Sequence, residues 1–341
     1  MREIRCVNLE KSKILNLNEA IEATAKKQKE CRRAFAKYLF LGILFIIVLP
    51  VGGGFAVWHL FENRLAPLFF IIIYIPFFLA ALMANASRVT SELGDYKAFY
   101  KDVFVRAAIR EVGPNFNYDP NAGISRKEFR KIGIYSPDEF CAEDQIGGIY
   151  NGIKFSLSKA IRIPNGATLE IGDSAALNLL SAIIFAWEAM KDMQAFSGSV
   201  LVCEFYKKFS GQTIVASRTL NTRFLGEKEQ MDDVFFSKEF RVFADDKVEA
   251  RYLLTPAFMQ RLRELKEKFA GKMGLSAAFM DDKLYLFLNG AKNKFETTLF
   301  SPPPSLEDAV GIKNEILELL RVIDELSLRF FKQTERDGLG G

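Results

Sequence analysis

LSAAFMDDKLYLFL, residues 275–288, reads as a β-hairpin. Two apolar runs of strand length, 275–280 and 283–288, flank the pair Asp281-Asp282. Aspartate suits a tight turn because its short carboxylate bonds the backbone beside it. Strands joined by two residues run antiparallel, since parallel strands need a long crossover. The hairpin therefore predicts an α+β fold with a mainly antiparallel sheet packed with helices. It does not suit the alternating βαβ pattern of a nucleotide-binding domain.

Upstream, Thr255 followed by Pro256 opens a helix, with threonine as the N-cap and proline at the first position. That helix is predicted to run to about Ala270 and to stop at Gly271. Before it, 242–246 (VFADD) ends a strand and opens another helix, and Asp246 and Glu249 have capping-box spacing. Strands are predicted over 197–209, 213–218 and 235–243. A further alternation, Ile149, Ile153, Phe155, Leu157 and Ile161, surrounds Gly148 and Gly152, both read as turn glycines. Residues 125–131 read as a short helix with Phe129 inward, 114–123 as a loop, and 91–112 as a longer helix. Downstream, 292–300 reads as one more strand. After Ser301-Pro302-Pro303-Pro304 comes a helix over 306–330. Its apolar stripe is Ile312, Ile316, Leu319, Leu320, Ile323 and Leu326. Residues 333–341 read as a frayed tail.

Two runs near the N-terminus are of another kind. Residues 38–58 carry no charge in 21 positions, and 65–87 none in 23. About 20 apolar residues of helix cross the hydrocarbon core, so a transmembrane hairpin at about 38–59 and 65–87 is predicted. Eight basic residues precede it between Lys11 and Lys37, and Arg88, Lys97, Lys101, Arg106 and Arg110 follow it. Positive flanks stay inside, so both termini are expected in the cytoplasm. The helix read over 18–37 carries Lys26, Lys27, Lys29, Arg32 and Arg33, a cluster that attracts anionic headgroups. No ionisable residue lies within either run, which favours an anchor over a conduit. Residues 175–187 are also uncharged but too short to span. They read as a buried helix, with a membrane-dipping helix as the alternative. The resulting division is a basic N-terminal segment at 1–37, the hairpin at 38–87, a helical connector at 88–130, an α+β domain at 131–332, and a flexible tail at 333–341.

Chemistry is sparse. His59 is the single histidine and lies at the end of the first run, which excludes a histidine base in the sheet domain. Cys6, Cys31, Cys141 and Cys203 form no CxxC pair, so a zinc site is not expected and the thiols suit a reducing compartment. Gly147-Gly148…Gly152 lacks the Lys-Ser/Thr of a phosphate loop. Asp232-Asp233, Asp245-Asp246 and Asp281-Asp282 sit at turns or helix starts, where aspartate serves the backbone. No cofactor, metal or nucleic-acid partner is expected. The net charge, +4, is mild and gathers near the membrane runs.

Three blocks occur in order behind the predicted hairpin: EDQIGGIYNGIKFSLSKA, FSGSVLVCEFYKKFSGQTIVASRT and VFADDKVEARYLLTPAFMQRL. Their marks include Phe196 and Gly198, then Phe205…Phe209…Gly211-x-Thr213. The most specific is Phe240-x-Val242…Asp245…Glu249-Ala250-Arg251-Tyr252…Thr255-Pro256. In this the chain resembles the bacterial DUF3137 family over most of residues 140–290, departing at Ser156-Leu157-Ser158. The resemblance implies a bacterial membrane-anchored protein and supplies no catalytic residues.

Asp245, Glu249, Arg251 and Tyr252 are the candidate ligand-binding or junction residues. Arg251 is expected to pair with Asp245 or Glu249 and brace the strand–helix junction, or to hold a carboxylate or phosphate. The expected function is a membrane-anchored cytoplasmic binding or scaffold module. Its partners are the bilayer of the bacterial inner membrane and either anionic headgroups or another membrane protein. The alternatives are an enzyme using Glu143, Asp144 and Asp245 on a membrane-proximal substrate, or an accessory subunit of a transporter.

Overall fold

The computed structural model describes residues 15–43, 87–135, 139–163, 196–206, 208–220, 225, 228–229, 231–270, 274–290 and 295–338. The predicted spans lie almost wholly within 44–86, outside the described residues, as does the apolar segment 175–187. Among the described residues no helix is long and apolar enough to cross a membrane.

The chain forms two compact units. The first takes its described residues from the N-terminal 107 positions and from Glu296–Leu306. Helix α1, Leu17–Ile43, starts in a reciprocal capping box. Asn16 Oδ1 accepts from the Glu19 N–H at 2.9 Å, and Glu19 Oε2 accepts from the Asn16 N–H at 3.1 Å. Residues 87–99 are helical, and a π-helical turn, Tyr100–Val105, continues them. Helix α2, Arg106–Val112, then carries the chain into the second unit. Cys31, Tyr96 and Leu299 are buried together, with Phe35 and Leu93 against them. Arg32 donates to the Leu299 and Ser301 carbonyls at 2.6 and 2.7 Å, so a basic residue of α1 tethers the 298–301 turn.

The second unit is built on one nine-stranded antiparallel sheet. Its strands are β1 (Asn117–Asp119), β2 (Glu139–Tyr150), β3 (Ile153–Ile163), β4 (Ser197–Glu204), β5 (Thr213–Ser217), β6 (Lys228–Glu229), β7 (Phe240–Ala244), β8 (Leu275–Met280) and β9 (Lys283–Asn289). Their order is β1-β2-β3-β4-β9-β8-β5-β7-β6. The quoted hairpin, β8–β9, lies at the centre. Helix α3, Arg126–Ile132, packs on one face, where Phe129 meets Phe196 and Phe287 at ring distances of 5.9 and 5.6 Å. Helix α6, Pro256–Leu265, packs on the other, where Phe258 meets Phe279 at 5.6 Å. Successive strand residues point to opposite faces, so a strand covered on both faces reads as an unbroken apolar run. That explains why 284–288 (LYLFL) does not alternate with polar residues.

The remaining helices are α4 (Val234–Glu239), α5 (Lys247–Leu253) and α7 (Leu306–Gly338). Thr255 caps α6 as predicted, accepting from the Phe258 N–H at 3.0 Å. A π-helical turn, Lys266–Ala270, extends α6. The six stripe residues of α7 are all buried. Arg261 of α6, itself buried, holds Glu318 of α7 at 2.9 Å.

The structure corrects several readings. Gly148 is a strand residue, and the turn is Asn151-Gly152, both at positive φ (47° and 79°) between paired Tyr150 and Ile153. Asn-Gly is the two-residue loop whose twist matches that of the strands. The loop at 114–123 contains β1, and both β1 and α3 belong to the sheet unit and not to a connector. Residues 235–243 are half helix. Asp233 accepts from the Phe236 N–H at 2.9 Å and starts α4, and Phe236 stacks on Phe240 one turn later at 4.8 Å. Residues 295–300 form turns and no strand, while 333–338 are the last part of α7.

Candidate functional site

The four residues singled out by sequence fall at the end of β7 and on α5. Asp246 caps α5, accepting from the Val248 and Glu249 N–H groups at 2.8 and 3.0 Å. The second half of the expected capping box is absent, because the Glu249 side chain turns outward. Its Oε2 accepts from the Ser210 N–H at 2.6 Å. Asp245 Oδ2 accepts from the Gln212 N–H at 2.8 Å, and the Asp245 N–H donates to the Gln212 carbonyl at 3.0 Å. Between them, Gly211 adopts φ +100°, and a Cβ there would lie 2.9 Å from the Asp245 Cβ. The two carboxylates thus satisfy amides of the loop entering β5. The Phe209…Gly211-x-Thr213 and Asp245…Glu249 patterns are two halves of one junction.

Arg251 does not pair with either expected acid. It reaches Glu229 of β6 at 3.2 Å, and Lys247 reaches the same carboxylate at 3.2 Å. The hydrogen bond from Lys247, then the one from Arg251, hold the Glu229 carboxyl below the usual range. This arrangement ties the edge strand β6 to α5. Tyr252 is half-buried on the same helix. Of the four, Asp245 and Glu249 act together on one loop, while Arg251 acts on another element.

The carboxylates proposed for catalysis do not converge. Asp144 sits at a bulge of β2, at φ +58°, buried, with the Tyr118 hydroxyl donating to its Oδ1 at 2.6 Å. It lies on the second strand of the sheet and Asp245 just past the end of the eighth. At about 4.8 Å per strand the separation is roughly 29 Å. Cys203 is buried in β4, and burial pushes its thiol far up, away from reactivity. Among the described residues no group of three or more His, Cys, Asp or Glu could hold a metal ion.

A groove of about 570 Å³ lies elsewhere, on the sheet face beside the first turn of α3. In register across the floor stand Ile149 of β2, Lys154 of β3, Glu204 of β4 and Lys283 of β9. A second row holds Asn117, Gly147, Ser156 and Val202. Glu128 of α3 closes one side. Its Oε1 accepts from Lys283 Nζ at 2.9 Å and from the Tyr285 hydroxyl at 3.0 Å. Lys154 holds Glu204 at 3.1 Å, and Lys283 lies 3.4 Å from the same group. Burial alone would lower Lys283, but Glu128 and Glu204 outweigh it and raise the ammonium pKa. Burial of Tyr285, then the Glu128 charge, push the phenol far above its ordinary value. Gln145 Nε2 donates to Ser156 Oγ at 2.8 Å. Sequence reading missed this site. Its one signal was the pair Gly147-Gly148, which a turn explained equally well. Single charges inside apolar strands reveal a site only when strand order brings them side by side.

Residues 194–328 match the family model described as "Protein of unknown function (DUF3137)". The matched stretch runs from β4 into α7, so it holds both halves of the Gly211–Asp245 junction; the block at 143–160 lies before it. No curated protein and no solved structure matches the chain. The DUF3137 family model thus supports, over residues 194–328, the resemblance read from the sequence.

Proposed function

We propose that the chain is a membrane-anchored binding module, held by the uncharged runs at 38–58 and 65–87 and binding a ligand in the sheet groove. The groove is the observation that carries the binding half of this reading. Its volume falls in the range of about 300–1,000 Å³ usual for small-molecule sites. Its carboxylates, Glu128 and Glu204, are both engaged by lysines; burial would raise Glu204, but Lys154 and Lys283 outweigh it and lower that carboxyl, which makes it a weaker base. Binding therefore suits the groove better than general acid–base chemistry. The anchor half rests on length and charge: both runs suffice to span, and the basic flanks favour a bacterial inner-membrane location with both termini cytoplasmic. The basic face of α1 suits anionic headgroups on that side.

Alkaline carbonate washing of membranes is the test of the anchor. The full chain should stay in the pellet, and a chain lacking 38–87 should not; release of the full chain would refute the anchor. For the groove, a photoreactive residue is placed at Ile149, which is 62% exposed at the β2 end of the floor, or at Val248, 80% exposed on α5. Adducts are expected from position 149 well above those from 248. Equal yields would refute the groove as the binding surface.

A further inference from the structure

We propose that the groove selects a neutral, hydroxyl-rich ligand of saccharide or cyclic-polyol class; this rests on the groove being the binding surface. The charges on its walls are already cancelled. Glu128 is met by Lys283, and Glu204 by Lys154 and Lys283, so two acids face two bases. A ligand with net charge gains no net attraction there and must break an existing pair to be held. The other polar groups are neutral: the amides of Asn115 and Asn117, and the Gln145 amide and Ser156 hydroxyl, which bond each other at 2.8 Å and keep further donor and acceptor capacity. A side-chain amide offers a donor and an acceptor side by side, which matches neighbouring hydroxyls on a ring. Ile149 and Val202 border these groups and supply apolar surface for the C–H face of the same ring.

The sheet also argues against an extended peptide. β3, β4 and β9, which form most of the groove floor, are each hydrogen-bonded on both edges, and β2 pairs with β3 and, over Gln145–Gly147, with β1. Recognition over β3, β4 and β9 rests on side chains, which suits a compact ligand better than an added strand. Gly147 leaves the middle of the floor low. A Cβ there would meet only the Phe155 carbonyl oxygen, at 3.7 Å, an ordinary contact. Gly147→Val therefore adds apolar volume to the floor at a position whose backbone admits a Cβ.

The test is saturation-transfer NMR on the full chain in phosphatidylcholine nanodiscs, free of glycosidic detergent. The probes are N-acetylglucosamine, maltose and myo-inositol, with glycerol 3-phosphate and trialanine as the charged and peptide comparisons. Binding of at least one neutral probe is expected, weakened at least tenfold by Gly147→Val and by Gln145→Ala, with both variants keeping the parent Tm. If glycerol 3-phosphate or trialanine binds in a Gly147→Val-sensitive manner and no neutral probe does, the ligand class is wrong and the groove stands. Binding of a neutral probe that ignores Gly147→Val, or no binding by any probe, overturns the assignment and the groove reading together.

Discussion

Gly211 and Asp245 approach so closely that a Cβ on the glycine would sit 2.9 Å from the Cβ of the aspartate. The approach lets the Asp245 carboxylate reach the Gln212 N–H at 2.8 Å. It also requires φ +100° at residue 211, a backbone region that favours glycine. Gly211→Ala is expected to destabilise the chain by about 2–4 kcal/mol, combining left-handed strain of about 1–2 kcal/mol with the clash. Gly133, at φ +76°, has open space around it. Gly133→Ala is expected to show the strain alone, at about 1–2 kcal/mol. Urea unfolding of both variants measures the difference, and equal losses would refute the clash.

The two carboxylates divide the loop amides between them. Asp245→Ala should speed hydrogen exchange at Gln212, and Glu249→Ala at Ser210, each leaving the other amide less affected. Each loses an acceptor bond to a charged group, worth about 1–3 kcal/mol of local protection, or roughly tenfold to a hundredfold in exchange rate. Glu249→Gln, which keeps an acceptor oxygen, should recover most of it. Residue-resolved exchange reads this directly. Uniform acceleration across β5 would instead mean loss of the whole strand.

Gly198 lets β4 lie against β9. A Cβ at 198 would stand 2.0 Å from the Leu288 carbonyl oxygen, which is backbone and cannot rotate away. Gly198→Ala is expected to cost about 3 kcal/mol or more and to move the pairing of Gly198 with Asn289. A fall in Tm with altered amide shifts around 288–290 checks it. An unchanged Tm would contradict the packing.

The groove charges should give stability an acid and an alkaline limit. Burial would raise Glu204, but the hydrogen bond from Lys154 and the charges of Lys283 and Lys154 outweigh it and lower the carboxyl. A lowered folded pKa stabilises fully above the unfolded value, about 4.3, and fades as pH falls through the folded one. Lys283 is raised, so its contribution is full below about pH 10.4 and fades as pH rises through its folded value. Lys283→Met should therefore lower Tm most between about pH 5 and 10. The gap to the parent should close towards pH 3 and above about pH 11. A gap constant across pH would mean that Lys283 acts by packing alone.

Much of the fold is legible because its signals are local. Thr255-Pro256 starts a helix through one side chain and one fixed φ. Asp281-Asp282 turns the hairpin, with Asp281 at φ +56°. The α7 stripe appears as buried residues three and four apart. The reading fails where local signals compete. In 234–240, Phe235 and Phe236 suit a strand, but the Asp233 cap and the Phe236–Phe240 stack make a turn of helix first. The groove was invisible for a different reason. Glu128 and Lys283 are 155 residues apart, and nothing near either one points to the other.

The sequence by itself determined the antiparallel α+β character, the helix starts, the uncharged N-terminal runs and the family resemblance over residues 194–328. Each depends on residues within a few positions of one another or on a contiguous pattern. Tertiary structure alone decided what the acids do. Ser210 and Glu249 lie 39 residues apart and Gln212 and Asp245 lie 33 apart, yet they share one hydrogen-bonded junction. Strand order likewise set Lys154, Glu204 and Lys283 in one row. Partners are chosen by distance in space, and chain separation sets that distance only after the sheet has paired.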